Sequence, residues 1–185
     1  MSVLPIRVLG DPVLREETRP VAEVTDAVRR LIDDMFETMY AASGIGLAAP
    51  QVGRLERVCV VAVDDVAYAL VNPEIVQADG PKDKAEEGCL SIPDVYADVI
   101  RPARVVIRAL DRDGNAIEVE ADGLLGRCFQ HEIDHLHGKL FLDHLSFLKR
   151  RALLAQWELE KDQYPGFIRV LKANGHRSEH PEEEL

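Results

Sequence analysis

The sequence predicts an α+β fold in which antiparallel sheets pack around a buried helix, with a further helix toward the C-terminus. Three observations predict it. Helical periodicity comes first along the chain, short valine-rich stretches follow, and helical periodicity returns only after them. The 185 residues suit one hydrophobic core, and no repeat or linker divides them. With 46% hydrophobic and 30% charged residues, the composition is that of an ordinary globular domain.

Residues 2 to 20 mix apolar and charged side chains around Pro5, Pro12 and Pro20, which predicts an irregular arm with one short helix after Asp11. From Thr25 the positions Val28, Leu31, Ile32, Met35, Met39 and Tyr40 follow helical spacing, with Thr25 or Asp26 as N-cap and a stop near Ser43-Gly44. Gly44 to Gly53 reads as a loop because of its glycines and Pro50. Arg57 to Val63 and Tyr68 to Val76, separated by Asp64-Asp65, suit an antiparallel pair. Val105 to Leu110 and Ala116 to Ala121 flank the turn-rich Asp111 to Asn115 and predict a hairpin. A second helix begins after Asp122 as N-cap, carries Leu124, Leu125, Cys128 and Phe129, and ends near Gly138. A third, from Leu145 to Lys161, holds Leu148, Leu153, Leu154 and Trp157. The stretch from His176 to Leu185 is polar and acidic and is expected to be disordered.

A net charge of −11 repels phosphates and anionic lipid surfaces, which argues against DNA or a membrane as partner. No apolar run has the length of a membrane span, and Met1 to Arg7 has no signal-peptide core, so the expected location is the cytoplasm. Three cysteines, Cys59, Cys89 and Cys128, are too few for a disulfide framework and read as thiols or metal ligands.

The segment that carries chemistry is His131-Glu132-Ile133-Asp134-His135. Two imidazoles four residues apart lie one above the other on a helix and can bind one ion. Leu124 and Cys128 precede them in the same helical phase, so this face is expected to be buried. Glu132, next to a ligand, has the placement of a general base in metal hydrolases. Two imidazoles leave a third ligand to be found. An extended motif would need histidine at 141, which is Phe141. Glu158 or Glu160 could serve, though both read as solvated helix charges. Cys89, within Glu86-Glu87-Gly88-Cys89-Leu90-Ser91-Ile92-Pro93, remains.

Here the sequence resembles the peptide deformylase family. Three blocks in the family's order carry the resemblance: Gly44-Ile45-Gly46-Leu47-Ala48-Ala49-Pro50-Gln51, Glu87-Gly88-Cys89-Leu90-Ser91, and Gln130-His131-Glu132-Ile133-Asp134-His135. The similarity spans roughly residues 2 to 160. It implies a single catalytic domain over 1–165 and a partly disordered tail over 166–185. It also implies hydrolytic removal of the N-formyl group from the terminal methionine of nascent peptides, with release of formate. Cys89, His131 and His135 become ligands of one divalent ion, leaving a fourth position for water, and Glu132 becomes the general base. The family's oxyanion donors map to the Gln51 side-chain amide and the Leu90 N–H. Gly44 and Gly46 map to a backbone edge along which a peptide pairs. Ile45, Leu124 and Cys128 map to the methionine pocket, and Glu87 lies near it with Arg101 as ion-pair partner.

The family's usual ion is ferrous iron, and Zn²⁺, Ni²⁺ or Co²⁺ suit the same donors. Tyr96 stands where many bacterial relatives have an arginine, and Arg127 where an apolar pocket residue is common. Asp134 reads equally as a group orienting a ligand and as a solvent-facing side chain; His137, His144, His176 and His180 read as surface residues, and Cys59 as core. Two other readings of the motif are a zinc endopeptidase using Glu158 or Glu160, and a non-catalytic structural metal module. Lys149-Arg150-Arg151 is a short basic run that would serve ribosome contact, and a monomer is the default state.

Overall fold

The computed structural model describes residues 2–171 of the chain. Its main sheet has five strands, β2 (Gly46–Ala48), β3 (Val58–Val63), β4 (Val66–Cys89), β5 (Ile92–Leu110) and β6 (Ala116–Asp122), ordered as in the chain and antiparallel throughout. Helix α1 (Asp26–Ala41) covers one face, α2 (Gly123–Leu136) the other, and α3 (Phe147–Glu160) follows. This is the α+β arrangement expected from the order of elements.

Strand β3 shows why the layers form. Its alternation sends Cys59, Val61 and Val63 into a core with Phe129, Ile133 and Leu136 of α2, while Val58 and Val60 join Leu31, Ile32, Met35 and Met39 of α1. The Asp64-Asp65 pair closes β3 onto β4 with positive φ at both residues, the geometry that a two-residue hairpin turn requires. Thr25 caps α1 by accepting a hydrogen bond from the Val28 N–H. The short helix after Asp11 is a 3-10 turn, Pro12–Arg15, in which Asp11 accepts from the Val13 N–H at 3.0 Å.

The structure departs from the sequence reading in several places, the first being Gly44 to Gly53, read as a loop, which holds β2 and a 3-10 turn at Ala49–Val52 because Gly46, Leu47 and Ala48 pair with β3. Tyr68–Val76 and the segment after Lys82 are one strand, because the ladder with β5 absorbs four register shifts between Val71 and Cys89 rather than breaking at them. Tyr40 is exposed: one residue past Met39 it is turned about 100° from the buried stripe and stacks on Phe36. In α3 Leu148 and Leu154 are exposed, and only Trp157 is fully buried, where its Nε1 donates to the Leu9 carbonyl at 3.1 Å. Finally, β7 (Ile168–Arg169) pairs with β1 (Ile6–Arg7), and Arg169 Nη1 donates to the Leu90 carbonyl at 3.2 Å. Residues 166–171, read above as tail, therefore join the folded body; 176–185, including His176 and His180, lie outside the described residues.

Candidate metal centre

The β4–β5 hairpin has its tip at Leu90-Ser91, with Cys89 paired to Ile92. Cys89 and Ile92, on either side of that tip, pack in a core with Leu140, Phe141, Leu142 and Trp157, which follow α2 in the chain. Helix α2 is thus enclosed: Phe129, Ile133 and Leu136 face the sheet, while His131 and His135 meet the hairpin tip. The Cys89 Sγ lies 3.3 Å from His135 Nε2, which lies 3.2 Å from His131 Nε2. All three donor atoms fall within 4.8 Å of one another, and all three residues are buried. No other group of histidine, cysteine and carboxylate side chains converges in this way among the described residues. The alternative third ligands are elsewhere. Glu158 pairs with Lys161 and Glu160 with Gln163, both on the exposed end of α3.

The ring orientation of His131 follows from Glu87. A carboxylate only accepts, so the 3.1 Å contact between His131 Nδ1 and Glu87 Oε2 puts the proton on Nδ1 and leaves the Nε2 lone pair facing His135 and Cys89. Phe141 stacks on the same imidazole. Glu87 is itself held by Arg101, whose Nε donates to Oε1 at 2.6 Å and Nη2 to Oε2 at 3.0 Å, and by Arg127 Nη1, which donates to Oε1 at 2.7 Å. Burial opposes ionisation of Glu87, but the hydrogen bonds from His131 and Arg101 outweigh it and hold the carboxyl well below the usual carboxylate range. The Glu87–Arg101 couple is therefore no surface ion pair. Asp134 accepts from Arg101 Nη1 at 2.9 Å and meets His144 Nε2 at 2.7 Å, so it braces the Glu87 partner instead of facing solvent. His137 and His144 are exposed, as read; His144 meets Asp134 and so joins this network, and His137 pairs with Glu17.

Glu132 is fully buried beside these groups, and neither of its oxygens has a hydrogen-bond partner. Burial pushes its carboxyl well above the usual range, and the negative charge of Glu87 adds to the effect. Gly46 is what admits it: a side chain at this position would run into the Glu132 carboxyl and the Cys128 sulfur. Likewise a side chain on Gly44 would meet Leu90. Neither close approach was legible from the G-x-G pattern, which reads as a helix stop.

Gln51 sits on the 3-10 turn Ala49–Val52 and is fully buried. Its Oε1 accepts from the Ala48 N–H at 2.8 Å, which fixes the amide and points Nε2 at the Ser91 Oγ, 3.2 Å away, and the Cys89 Sγ, 3.6 Å away. Ser91 was not singled out from the sequence; its place two residues after Cys89 was the available signal. Ile45 and Cys128 are buried together, with the Cys128 Sγ 3.6 Å from the Ile45 carbonyl, and Cys59 is core, as read. The face expected to be buried is so at Cys128 but not at Leu124, which is 43% exposed because it stands at the first turn of α2, where it lines a depression with Asp64, Arg104 and Asp122. Tyr96, near the start of β5, lies over Gly88.

The donor set fits a divalent ion: one soft thiolate and two imidazoles converge, with the outer nitrogen of one imidazole committed to a carboxylate. A model of the family described as polypeptide deformylase matches residues 3–151. The peptide deformylase of Mesorhizobium japonicum is 48% identical over 172 residues, covering 90% of this chain and 98% of its own. That of Hydrogenovibrio crunogenus is 53% identical over 163 residues, covering 86% and 96%. Among solved structures, the peptide deformylase from Legionella pneumophila matches with a TM-score of 0.83 at 43% identity, over 88% of this chain and 97% of that one.

Proposed function

The chain belongs to the polypeptide deformylase family, metal-dependent hydrolases that remove the N-formyl group from nascent peptides, and we propose that Cys89, His131 and His135 hold its ion while Glu132 acts as general base. The observation that carries this reading is the convergence of three donor atoms beside a buried carboxyl with no partner of its own. When bound, the ion supplies Lewis acidity that acidifies water and polarises a carbonyl.

The remaining work falls to the protein. Glu132 is left without a hydrogen-bond partner, so its oxygens are available to take a proton from water and pass it to the departing amine. Water adds to the formyl carbon, the C–N bond breaks, and formate and a free amine leave. The Gln51 Nε2–H, fixed by the bond from Ala48 to its Oε1, and the Leu90 N–H supply donors to the developing oxyanion. Gly44 and Gly46 offer the edge along which the formylmethionyl peptide pairs, Ile45, Leu124 and Cys128 receive the methionine side chain, and Glu87 orients His131.

Ferrous iron is our reading of the ion, with Zn²⁺, Ni²⁺ or Co²⁺ suited to the same donors; metal analysis of protein purified without oxygen decides among them. Among the described residues no helix is long and apolar enough to cross a membrane; action on nascent chains is what supports a cytoplasmic location, and a monomer is the default state. The basic run Lys149-Arg150-Arg151 lies on α3, where ribosome contact is tested by cosedimentation at varied salt with the three residues replaced; equal binding excludes this run.

The test of function is formate release from a formyl-methionyl peptide under anaerobic conditions, with an acetyl-methionyl peptide as control. We expect release of formate by the parent, release lowered by about 10²–10⁴-fold in Glu132→Ala, and no acetate. Loss of bound metal on Cys89→Ala is expected as well; retention would overturn the ligand assignment.

A further inference from the structure

Arg127 stands one helical turn before His131 on α2, with its guanidinium almost wholly buried against the β4–β5 hairpin. Its Nη1 donates to Glu87 Oε1 at 2.7 Å and to the Val99 carbonyl at 3.1 Å, and its Nη2 to the Asp83 carboxylate at 2.9 Å and carbonyl at 3.1 Å. Glu87 does not need this contact for its orientation. The Arg101 fork already engages both oxygens, and Asp134 fixes Arg101 in turn. What Arg127 adds is charge: a second guanidinium on Oε1, at a carboxylate with no solvent contact to screen it.

A carboxylate that accepts from the outer nitrogen of a ligand histidine raises that ligand's donor strength. A second cation on the carboxylate works against this, and its charge also opposes a cation held one turn away. We propose that Arg127 is a positioning residue acting through Glu87, which draws charge from the carboxylate and weakens His131 as a donor, so that the ion is held less tightly and stays more acidic. The inference rests on the ligand assignment proposed above.

A brace that merely ties α2 to Asp83 and Val99 would have the opposite signature, since its removal would loosen the centre and release metal. The sign of the change in metal affinity therefore decides. The full chain is prepared metal-free under reducing, anaerobic conditions, and Zn²⁺ and Co²⁺ affinities are measured by chelator competition, with the Co²⁺ absorption bands as a second readout. We expect Arg127→Met to bind both ions about three- to tenfold more tightly with shifted bands, and Arg127→Lys, which keeps the charge, to stay within about twofold of the parent. Asp83→Asn, at a half-exposed position, leaves Arg127 with less counter-charge and is expected to bind about twofold more weakly. Unchanged or weaker binding by Arg127→Met overturns the inference. If that variant does not fold, binding by Asp83→Asn as tight as the parent's or tighter overturns it. A Cys89→Ala control separates the two readings, because full metal occupancy without Cys89 would overturn the ligand assignment and this inference with it.

Discussion

Glu87 and Glu132 flank His131, are both sealed from solvent, and differ in everything that decides a carboxyl group's work. Glu87 receives two guanidinium groups and an imidazole and stays ionised well below the usual range. Glu132 receives nothing, and burial beside the Glu87 charge drives its carboxyl well above that range. Environments that push two carboxyls apart mark separate roles: the first is a fixed anion that orients a ligand, the second a group prepared to exchange a proton. What the pair teaches is that burial alone assigns neither role. The partners do, and they come from different elements: Arg101 from β5 for Glu87, and the space left by Gly46 of β2 for Glu132.

The largest expected effect breaks the Glu132 side. Glu132→Ala is expected to lower formate release by about 10²–10⁴-fold while metal content stays that of the parent, because no structural bond is lost. A rate within tenfold of the parent in a steady-state assay would contradict the proton-transfer role. Breaking the other side has the reverse character. Glu87→Leu strands Arg101 and Arg127 without their shared anion, a change expected to cost about 3–5 kcal/mol and to lower the melting temperature by about 10 °C. It should also weaken metal binding by about 10–100-fold. A melting curve that overlays the parent's would show that the cluster is not a unit.

The contrast between the two carboxyls was only partly legible in the sequence. The helical spacing of His131 and His135, the carboxyl of Glu132 between them and the thiol of Cys89 were visible because local helical geometry and motif order fix them. The layer order was visible too, through the alternation of β3 and the periodicity of α1. What stayed hidden depends on distant segments meeting. Nothing local to Arg127 says that it reaches Glu87, 40 residues earlier, nor that His144 meets Asp134. The length of β4 was hidden because its exposed, charged middle, from Gln77 to Glu86, lacks the alternation that betrays a strand, and the ladder to β5 holds it instead. Arg169 was read as tail for the same reason: a two-residue strand has no periodicity to detect.

A smaller effect sharpens the comparison at its edge, where Gln51 serves neither carboxyl. Its amide is held by the Ala48 N–H and directed at Ser91 and Cys89, so Gln51→Ala should remove one of the two proposed oxyanion donors and lower kcat by about 10²–10³-fold. KM should change little, since the donor acts on charge that develops only in the transition state. A change confined to KM would assign the amide to substrate binding instead.

The smallest effect concerns stability and is where the two carboxyls should pull in opposite directions with pH. For Glu87 the folded-state value lies below the unfolded 4.5, so its contribution is present above that pH and is lost on acidification. For Glu132 the folded-state value lies above 4.5: between the two values the native chain keeps a proton that the unfolded chain has released, so stability falls as pH rises. In metal-free protein, Glu132→Gln removes only the second dependence. Urea midpoints measured from pH 5 to pH 8 should therefore decline less steeply for the variant than for the parent, whatever their absolute difference. Parallel curves would mean that Glu132 ionises in the folded chain as it does in the unfolded one, and the asymmetry between the two carboxyls would have to come from geometry alone.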